Sequence, residues 1–224
     1  MDIARKNILH ATAPFAAWIL LQTFLPATAW AYAVRTAATA IFAALAFRHL
    51  AKVDGAMALP GYRAVAIGLA AGLAVCALWI LPDDLPWYRT WMCWPIGSSP
   101  EPSSAPSPYD PATCGWPLTA AKLVGSAFVI APVEELFFRS FLYRWLQKRD
   151  FTSVPLSRFD MSAFTWMVFL FMLEHDRPAA AAMAGATYGF VAMRWGLWSA
   201  VVAHVVTNLA LGLHVIYHGT WGFW

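Results

Sequence analysis

The sequence predicts an all-α protein that crosses a membrane several times, as a bundle of about seven spanning helices. Of its 224 residues, 60% are hydrophobic and only 12% are charged, whereas about a quarter of the residues in a soluble protein are charged. Thirteen Trp and fifteen Phe agree with this class, because aromatic rings collect at the two bilayer interfaces. Composition therefore predicts a lipid environment before any motif is considered.

Seven apolar runs supply the candidate helices, since about 20 residues are needed to cross a hydrocarbon core of about 30 Å. They lie at roughly 8–25, 29–47, 63–81, 119–146, 160–175, 179–194 and 197–217. The first run contains Pro14, and the sixth is short and rich in Ala and Gly. Arg5 and Lys6 precede the first run as in a signal peptide, but apolar sequence continues behind it, which favours a first spanning helix.

The distribution of Lys and Arg predicts the orientation, because short cytoplasmic loops carry an excess of these residues. With a cytoplasmic N-terminus, ten basic residues fall on the inner side, and only Arg89, Lys122 and Arg177 fall on the outer side. The inner ten are Arg5, Lys6, Arg48, Lys52, Arg63, Arg144, Lys148, Arg149, Arg158 and Arg194. We therefore expect a multi-pass protein of the inner (cytoplasmic) membrane. Its scattered charges offer no patch for nucleic acid.

We expect a single membrane domain over residues 1–224, in which residues 82–117 form an extracytoplasmic loop rich in Pro and Trp. The prolines of this loop rule out a continuous helix. Cys93 and Cys114 both fall in the loop, where an oxidising compartment would permit a disulfide, and the sequence leaves that bridge open. Residues 118–217 follow as the segment that carries the polar motifs.

Three charged residues stand inside the fourth apolar run. Glu134, Glu135 and Arg139 each cost about 2.5–3.5 kcal/mol at the centre of a spanning helix. Glu135 and Arg139 are four residues apart in the favourable acid-first order, so they can pair on one helix face. Glu134 is rotated by about 100° from Glu135, and we expect its partner on another helix. Pro132 should disturb the helix near the carboxylates.

Two further polar motifs follow on later helices. His175 ends the fifth run, and His204 and Asn208 share a face of the seventh. With the two Glu and the Arg, they supply a base, an orienting imidazole and donors for a developing oxyanion, the groups that water activation needs. Each motif alone could be a structural clamp or interhelical glue. The fifth helix must sit deeply or be tilted for the three motifs to converge.

The ordered set resembles the three-motif signature of the CAAX-protease and bacteriocin-processing family of glutamic-type intramembrane proteases. The motifs are Glu134-Glu135-x-x-x-Arg139, Phe171-x-x-x-His175 and His204-x-x-x-Asn208. The resemblance covers roughly residues 118–217. It implies a helical bundle around an intramembrane cavity, and a peptidase with no bound metal or other cofactor that acts on a membrane-embedded peptide or protein.

The resemblance also implies three pairs of roles: Glu134 as general base with His175, His204 with Asn208 at the oxyanion, and Glu135 with Arg139 organising the site. The Pro-rich loop and the Ala/Gly-rich sixth run further resemble the subgroup associated with exosortase and other C-terminal sorting systems. That likeness implies a sorting-system association and a membrane-anchored sorting tail as the substrate.

Two other functions stay open at this point. His and Glu are zinc ligand types, so a zinc-dependent membrane hydrolase of the same fold is one alternative, although the sequence has no His-Glu-x-x-His motif. A non-catalytic membrane scaffold or immunity protein is the other, with the polar cluster used for packing.

Overall fold

The computed structural model describes residues 3–83, 85–88 and 106–224, and these residues form helices and no strands. The seven main helices of the described residues are α1 Ile3–Phe24, α2 Ala29–Leu50, α3 Tyr62–Ile80, α4 Trp116–Gln147, α5 Met161–Leu173, α6 Pro178–Trp195 and α7 Leu197–His218. Each corresponds to one of the seven apolar runs, so the prediction of an all-α membrane bundle is confirmed. Cys93, and with it the disulfide that the sequence left open, lies outside the described residues.

Four of the described helices, α2, α3, α4 and α7, are long and apolar enough to cross a membrane. The apolar helix α5 has only 13 residues. Helices α1 and α6 have 22 and 18 residues but fall short in apolar composition. Length and composition therefore identify four spans among the described residues, and the other three helices complete the bundle around them.

Helices α3 and α7 pack closely through glycine. Gly68 and Gly72 are both buried on α3, and a Cβ added at Gly72 would lie 2.4 Å from the Ala203 carbonyl oxygen of α7. Small residues at such contacts let two helix backbones approach each other. The Gly72 carbonyl accepts a hydrogen bond from the Thr207 hydroxyl at 2.9 Å. This contact fixes the position of α7 along α3, about one helical turn from His204.

Helix α4 is irregular around its charged residues. Two π-helical segments, Ser126–Ile130 and Leu136–Leu142, enclose the α-helical stretch Ala131–Glu135. Pro132 lacks the N–H that the carbonyl of Phe128 would accept in a regular helix, and the wider π turn precedes it. Single π turns in helices are frequent at functional sites. Both carboxylates stand at the end of the α-helical stretch, between the two wide turns.

The short helix α5 ends inside the bundle. The Tyr143 hydroxyl donates to the Arg158 carbonyl at 2.6 Å and accepts from the Asp160 amide at 3.1 Å, so α5 begins at the level of Tyr143. Its 13 residues extend roughly 20 Å, against a hydrocarbon core of about 30 Å. The chain after α5 therefore turns before it has crossed the full thickness of the hydrocarbon core.

Candidate active site

A cavity of about 230 Å³ lies within the bundle. Its lining comes from α1, α2, α3, α4, α6 and α7, from the end of α5, and from the residues after α7. Four of the six site residues that the sequence predicts line this cavity, namely Glu134, His175, His204 and Asn208. The structure thus brings together the polar groups of α4, α5 and α7, and it does so in the interior of the bundle.

The other two predicted residues, Glu135 and Arg139, are buried behind the cavity, with 0% and 1% of their side chains exposed. Glu135 Oε1 lies 3.0 Å from Arg139 Nη1, so the predicted pair on α4 is present. The same oxygen lies 2.9 Å from His204 Nδ1. Arg139 Nη2 donates to the Gly185 carbonyl of α6 at 3.1 Å. Glu135 therefore links Arg139 to the histidine of α7.

The contact between Glu135 Oε1 and His204 Nδ1 determines which nitrogen of the His204 ring carries a proton. An ionised carboxylate only accepts hydrogen bonds, so Nδ1 of His204 carries the proton shared with Glu135, and a carboxylate in this position fixes the orientation of an imidazole. On the other side of the ring, His204 Nε2 lies 3.6 Å from Glu134 Oε2. The partner of Glu134 thus comes from another helix, as its rotation away from Glu135 predicts.

Glu134 has an oxygen available for a ligand. Its Oε2 is buried and has no hydrogen-bond partner, and the 3.6 Å to His204 is longer than a hydrogen bond. Buried polar atoms nearly always have a partner, and an exception is often explained by a catalytic role or by a bound water. The carboxylate therefore has an unused acceptor at the cavity wall.

His175 lies two residues beyond the end of α5. Its Nδ1 lies 2.8 Å from the Phe171 carbonyl oxygen. Because a carbonyl only accepts, Nδ1 is the protonated nitrogen, and in the neutral ring Nε2 is an acceptor. The ring also contacts the Phe171 ring at 4.5 Å and the Trp79 ring at 5.8 Å between centroids. His175 thus offers the cavity wall a second proton acceptor in a fixed ring.

Aromatic rings contact the His204 ring and the Arg139 guanidinium of this site. The His204 ring stacks on Tyr188 at 4.7 Å between centroids, and the Tyr188 hydroxyl donates to Thr207 Oγ1 at 2.7 Å. The Arg139 guanidinium carbon lies 4.3 Å from the centroid of Phe171. A Cβ added at Gly185 would lie 3.0 Å from that same Phe171 ring. The small residues of α6 therefore leave room for the ring and the guanidinium.

Asn208 completes the predicted set one turn beyond His204. Its Nδ2 donates to the Ser126 carbonyl at 3.1 Å, at the first residue of the π-helical segment of α4. One of its two amide hydrogens is thereby used, and the other is available. Among the described residues, no group of three or more His, Cys, Asp or Glu side chains is placed to hold a metal ion.

Residues 116–210 match the family model described as type II CAAX prenyl endopeptidase Rce1-like. The match spans all three motifs and confirms the resemblance to CAAX proteases over somewhat less than half of the chain. It indicates CAAX-type intramembrane protease activity in general. The comparison with curated proteins gave no match, and neither did the comparison with solved structures.

The Rce1-like segment does not enclose the cavity alone, since Trp18, Tyr32 and Trp79 from α1–α3 also line it. Two further lining residues, Tyr188 and Lys122, were not candidates on sequence. The sequence gives one hint for Tyr188: it is a large polar aromatic residue within the Ala/Gly-rich α6, where most side chains are small. Lys122 carried no signal beyond its isolated charge in an apolar run.

Proposed function

We propose that the protein is an intramembrane endopeptidase that hydrolyses a peptide bond of a membrane-anchored protein or peptide with water activated by Glu134 and His175. The observation that carries the proposal is the cavity that both residues line. Glu134 presents a buried oxygen without a partner, and the bond from His175 Nδ1 to a carbonyl leaves Nε2 as an acceptor. Two acceptors suffice to orient a water and to remove one of its protons.

In the proposed reaction, Glu134 takes a proton from the water as the oxygen attacks the carbonyl carbon of the substrate. His175 Nε2 accepts a hydrogen bond from the second O–H of the same water, without taking its proton. This bond keeps a lone pair of the water oxygen directed at the substrate carbonyl. Glu134 then gives its proton to the departing amine, which returns the carboxylate to its starting form. No covalent enzyme intermediate is required.

The developing oxyanion would be stabilised by His204 and Asn208. His204 can donate through Nε2 while Nδ1 donates to Glu135 only if the ring is an imidazolium. In that state two cations, His204 and Arg139, balance the two carboxylates of α4, so these four groups together have no net charge. The free amide hydrogen of Asn208 supplies the second donor. One oxyanion donor contributes about 10²–10³ in kcat.

The orientation and the substrate belong to the same proposal. We place the N-terminus in the cytoplasm and propose that α1, α5 and α6 cross the membrane together with the four longer apolar helices. Seven crossings put residues 82–117, the end of the bundle where α4 begins, and the C-terminus on the outer side. The substrate is membrane-anchored, and a C-terminal sorting tail fits this side of an inner membrane. Reporter fusions at the chain ends test the orientation: a C-terminal alkaline phosphatase is expected to be active and a C-terminal fluorescent protein dark, and the reverse pattern would invert the topology.

Proteomics of protein termini tests the activity and finds the substrate together. Cells that carry the wild-type protein are compared with cells that carry Glu134→Gln, after both proteins are shown to be present and folded in the membrane. A new C-terminus or N-terminus that depends on Glu134 is the expected result. Processing that persists in Glu134→Gln would remove Glu134 as the base, and the absence of any new terminus even in the wild-type cells would favour a non-catalytic scaffold.

Metal analysis of the purified protein separates the metal-free mechanism from zinc hydrolysis. We expect no stoichiometric zinc, and we expect cleavage of the substrate to continue after treatment with a chelator. Zinc at one equivalent together with cleavage that the chelator abolishes would contradict the proposed mechanism.

A further inference from the structure

A cation without a carboxylate partner stands at one end of the cavity. Lys122 lines the cavity, and its Nζ lies 4.4 Å from the ring centroid of Tyr32, 4.8 Å from that of Tyr109 and 5.9 Å from that of Trp224. Among the described residues, no Asp or Glu forms an ion pair with it. Three aromatic faces thus surround an ammonium group that opens onto the cavity.

A second cation lies beside the first. The Arg35 guanidinium carbon lies 5.0 Å from the Tyr32 ring that also contacts Lys122, and 4.6 Å from the Trp18 ring. Since both cations contact one ring, they lie within about 10 Å of each other. Arg35 is 8% exposed, and its Nε has no hydrogen-bond partner. Within the described part of the chain, neither cation forms an ion pair with a carboxylate, and the charge of Asp176 acts on Lys122 only from a longer distance.

Two such cations are costly in a membrane protein. On insertion scales each costs up to about 2.5–3.5 kcal/mol, the value for the centre of a spanning helix, and a cation–π contact contributes about 0.5–2 kcal/mol in return. An anion that enters the cavity would supply the missing interaction, because Arg and Lys donate charge-assisted hydrogen bonds to carboxylates. Lys122, with the charge of Arg35 beside it, is therefore placed to receive a negatively charged group that enters the cavity.

The position of Lys122 relates it to the proposed chemistry. Lys122 and Glu134 line the same cavity and are twelve residues apart on α4, which corresponds to roughly 18 Å along a helix. An extended peptide covers that distance in about five residues. A molecule that fills the cavity from Glu134 to Lys122 is thus long enough to be a peptide segment.

We propose that Lys122 forms a subsite at the cavity wall that binds a carboxylate of the substrate, about five extended residues from the bond that is hydrolysed. Arg35, which does not line the cavity, adds its positive charge from beside the Tyr32 ring. The proposal rests on the proposed function, because only a peptide substrate connects this subsite to Glu134. A substrate carboxylate is favoured over a lipid phosphate, since the ligand must share one cavity with the catalytic groups. The subsite selects substrates by the position of a negative charge.

A binding experiment tests the subsite without any cleavage. The full-length Glu134→Gln protein is placed in phosphatidylcholine nanodiscs and titrated with two N-acetylated Leu/Ala hexapeptides, one with a C-terminal carboxylate and one with a C-terminal amide. We expect the carboxylate peptide to bind about tenfold more tightly. Lys122→Met should abolish that preference, and Lys122→Arg should keep it. Lys148→Met is the matched control, since Lys148 is exposed just beyond the end of α4.

Three results would overturn the subsite: equal affinity for the two peptides, an unchanged preference in Lys122→Met, or loss of the preference in the Lys148→Met control. Nanodiscs with added phosphatidylglycerol form a further arm. If this lipid removes the carboxylate preference of the protein that retains Lys122, the site binds a lipid headgroup and the proposal is wrong. Failure of the proposed function is distinguishable, since it would appear as substrate processing by Glu134→Gln while the preference for the carboxylate peptide persists.

Discussion

Removing the charge of Glu135 should destabilise the protein through Arg139. Glu135→Gln keeps the size of the side chain but leaves Arg139, 1% exposed, with the Gly185 carbonyl at 3.1 Å and the Phe171 ring at 4.3 Å. Breaking one side of a buried ion pair costs about 3–5 kcal/mol. Because those two contacts remain, we expect a loss of about 3 kcal/mol in the free energy of unfolding.

The double variant Glu135→Gln/Arg139→Met separates stability from chemistry. It contains neither buried charge, so its free energy of unfolding should return to within about 1 kcal/mol of the wild-type value. His204 Nδ1 then donates its hydrogen bond to a neutral amide instead of a carboxylate. We expect kcat to remain about 10- to 100-fold below the wild-type value, as when other residues that orient a catalytic group are replaced. Stability is measured by denaturing-detergent titration in mixed micelles, and kcat with a peptide from the terminus comparison.

The Asp54–Arg144 pair provides the control. Arg144 lies five residues beyond Arg139 on α4 and donates to Asp54, with Nη1 at 3.0 Å from Oδ1. Both side chains are buried. Asp54→Asn should lower the free energy of unfolding by a similar amount while the folded fraction keeps its kcat. A double variant with full activity would contradict an orienting role and make Glu135 and Arg139 a structural clamp only. A double variant as unstable as the sum of the single changes would contradict the pairing of the two charges.

Three further predictions concern single residues. His175→Asn should lower kcat by at least about 10² without loss of fold, since the amide can still donate to a carbonyl; unchanged peptide cleavage would contradict a role for this ring. Asn208→Ala should lower kcat by about 10²–10³ at nearly constant KM, whereas lower stability at constant kcat would indicate packing alone. Gly72→Ala places a Cβ 2.4 Å from the Ala203 oxygen and should cost about 1–3 kcal/mol in detergent titrations, while Gly61→Ala, with nothing within 4 Å, should cost little.

The sequence predicts the helices and one of the key contacts because both depend on local spacing. Apolar runs of membrane length are continuous in the sequence, so all seven positions agree with the helices of the structure. The contact from Glu135 to Arg139 follows from a separation of four residues. The same geometry predicts that Glu134 needs a partner on another helix, and His204 lies 3.6 Å from it.

Other features depend on packing that a single sequence does not encode locally. The run that ends in His175 reads as one apolar helix, yet α5 stops at Leu173, and the histidine reaches the cavity from beyond the helix end. The environment of Lys122 is formed by rings from three distant segments, Tyr32, Tyr109 and Trp224. No spacing rule connects residues so far apart in the chain.

The central claim is that Glu134 removes a proton from the attacking water, and its most direct test is the turnover of a defined substrate peptide by two matched variants. Glu134→Gln and Glu174→Gln each remove one carboxylate from the lining of the same cavity. We expect kcat to fall by about 10²–10⁴ for Glu134→Gln. Glu174 Oε2 is also buried without a hydrogen-bond partner and its charge acts on Glu134, so Glu174→Gln should change kcat by up to about tenfold; a fall as large as that of Glu134→Gln would assign the base to Glu174 instead. A Glu134→Gln protein that is folded and cleaves at the wild-type rate would contradict the claim.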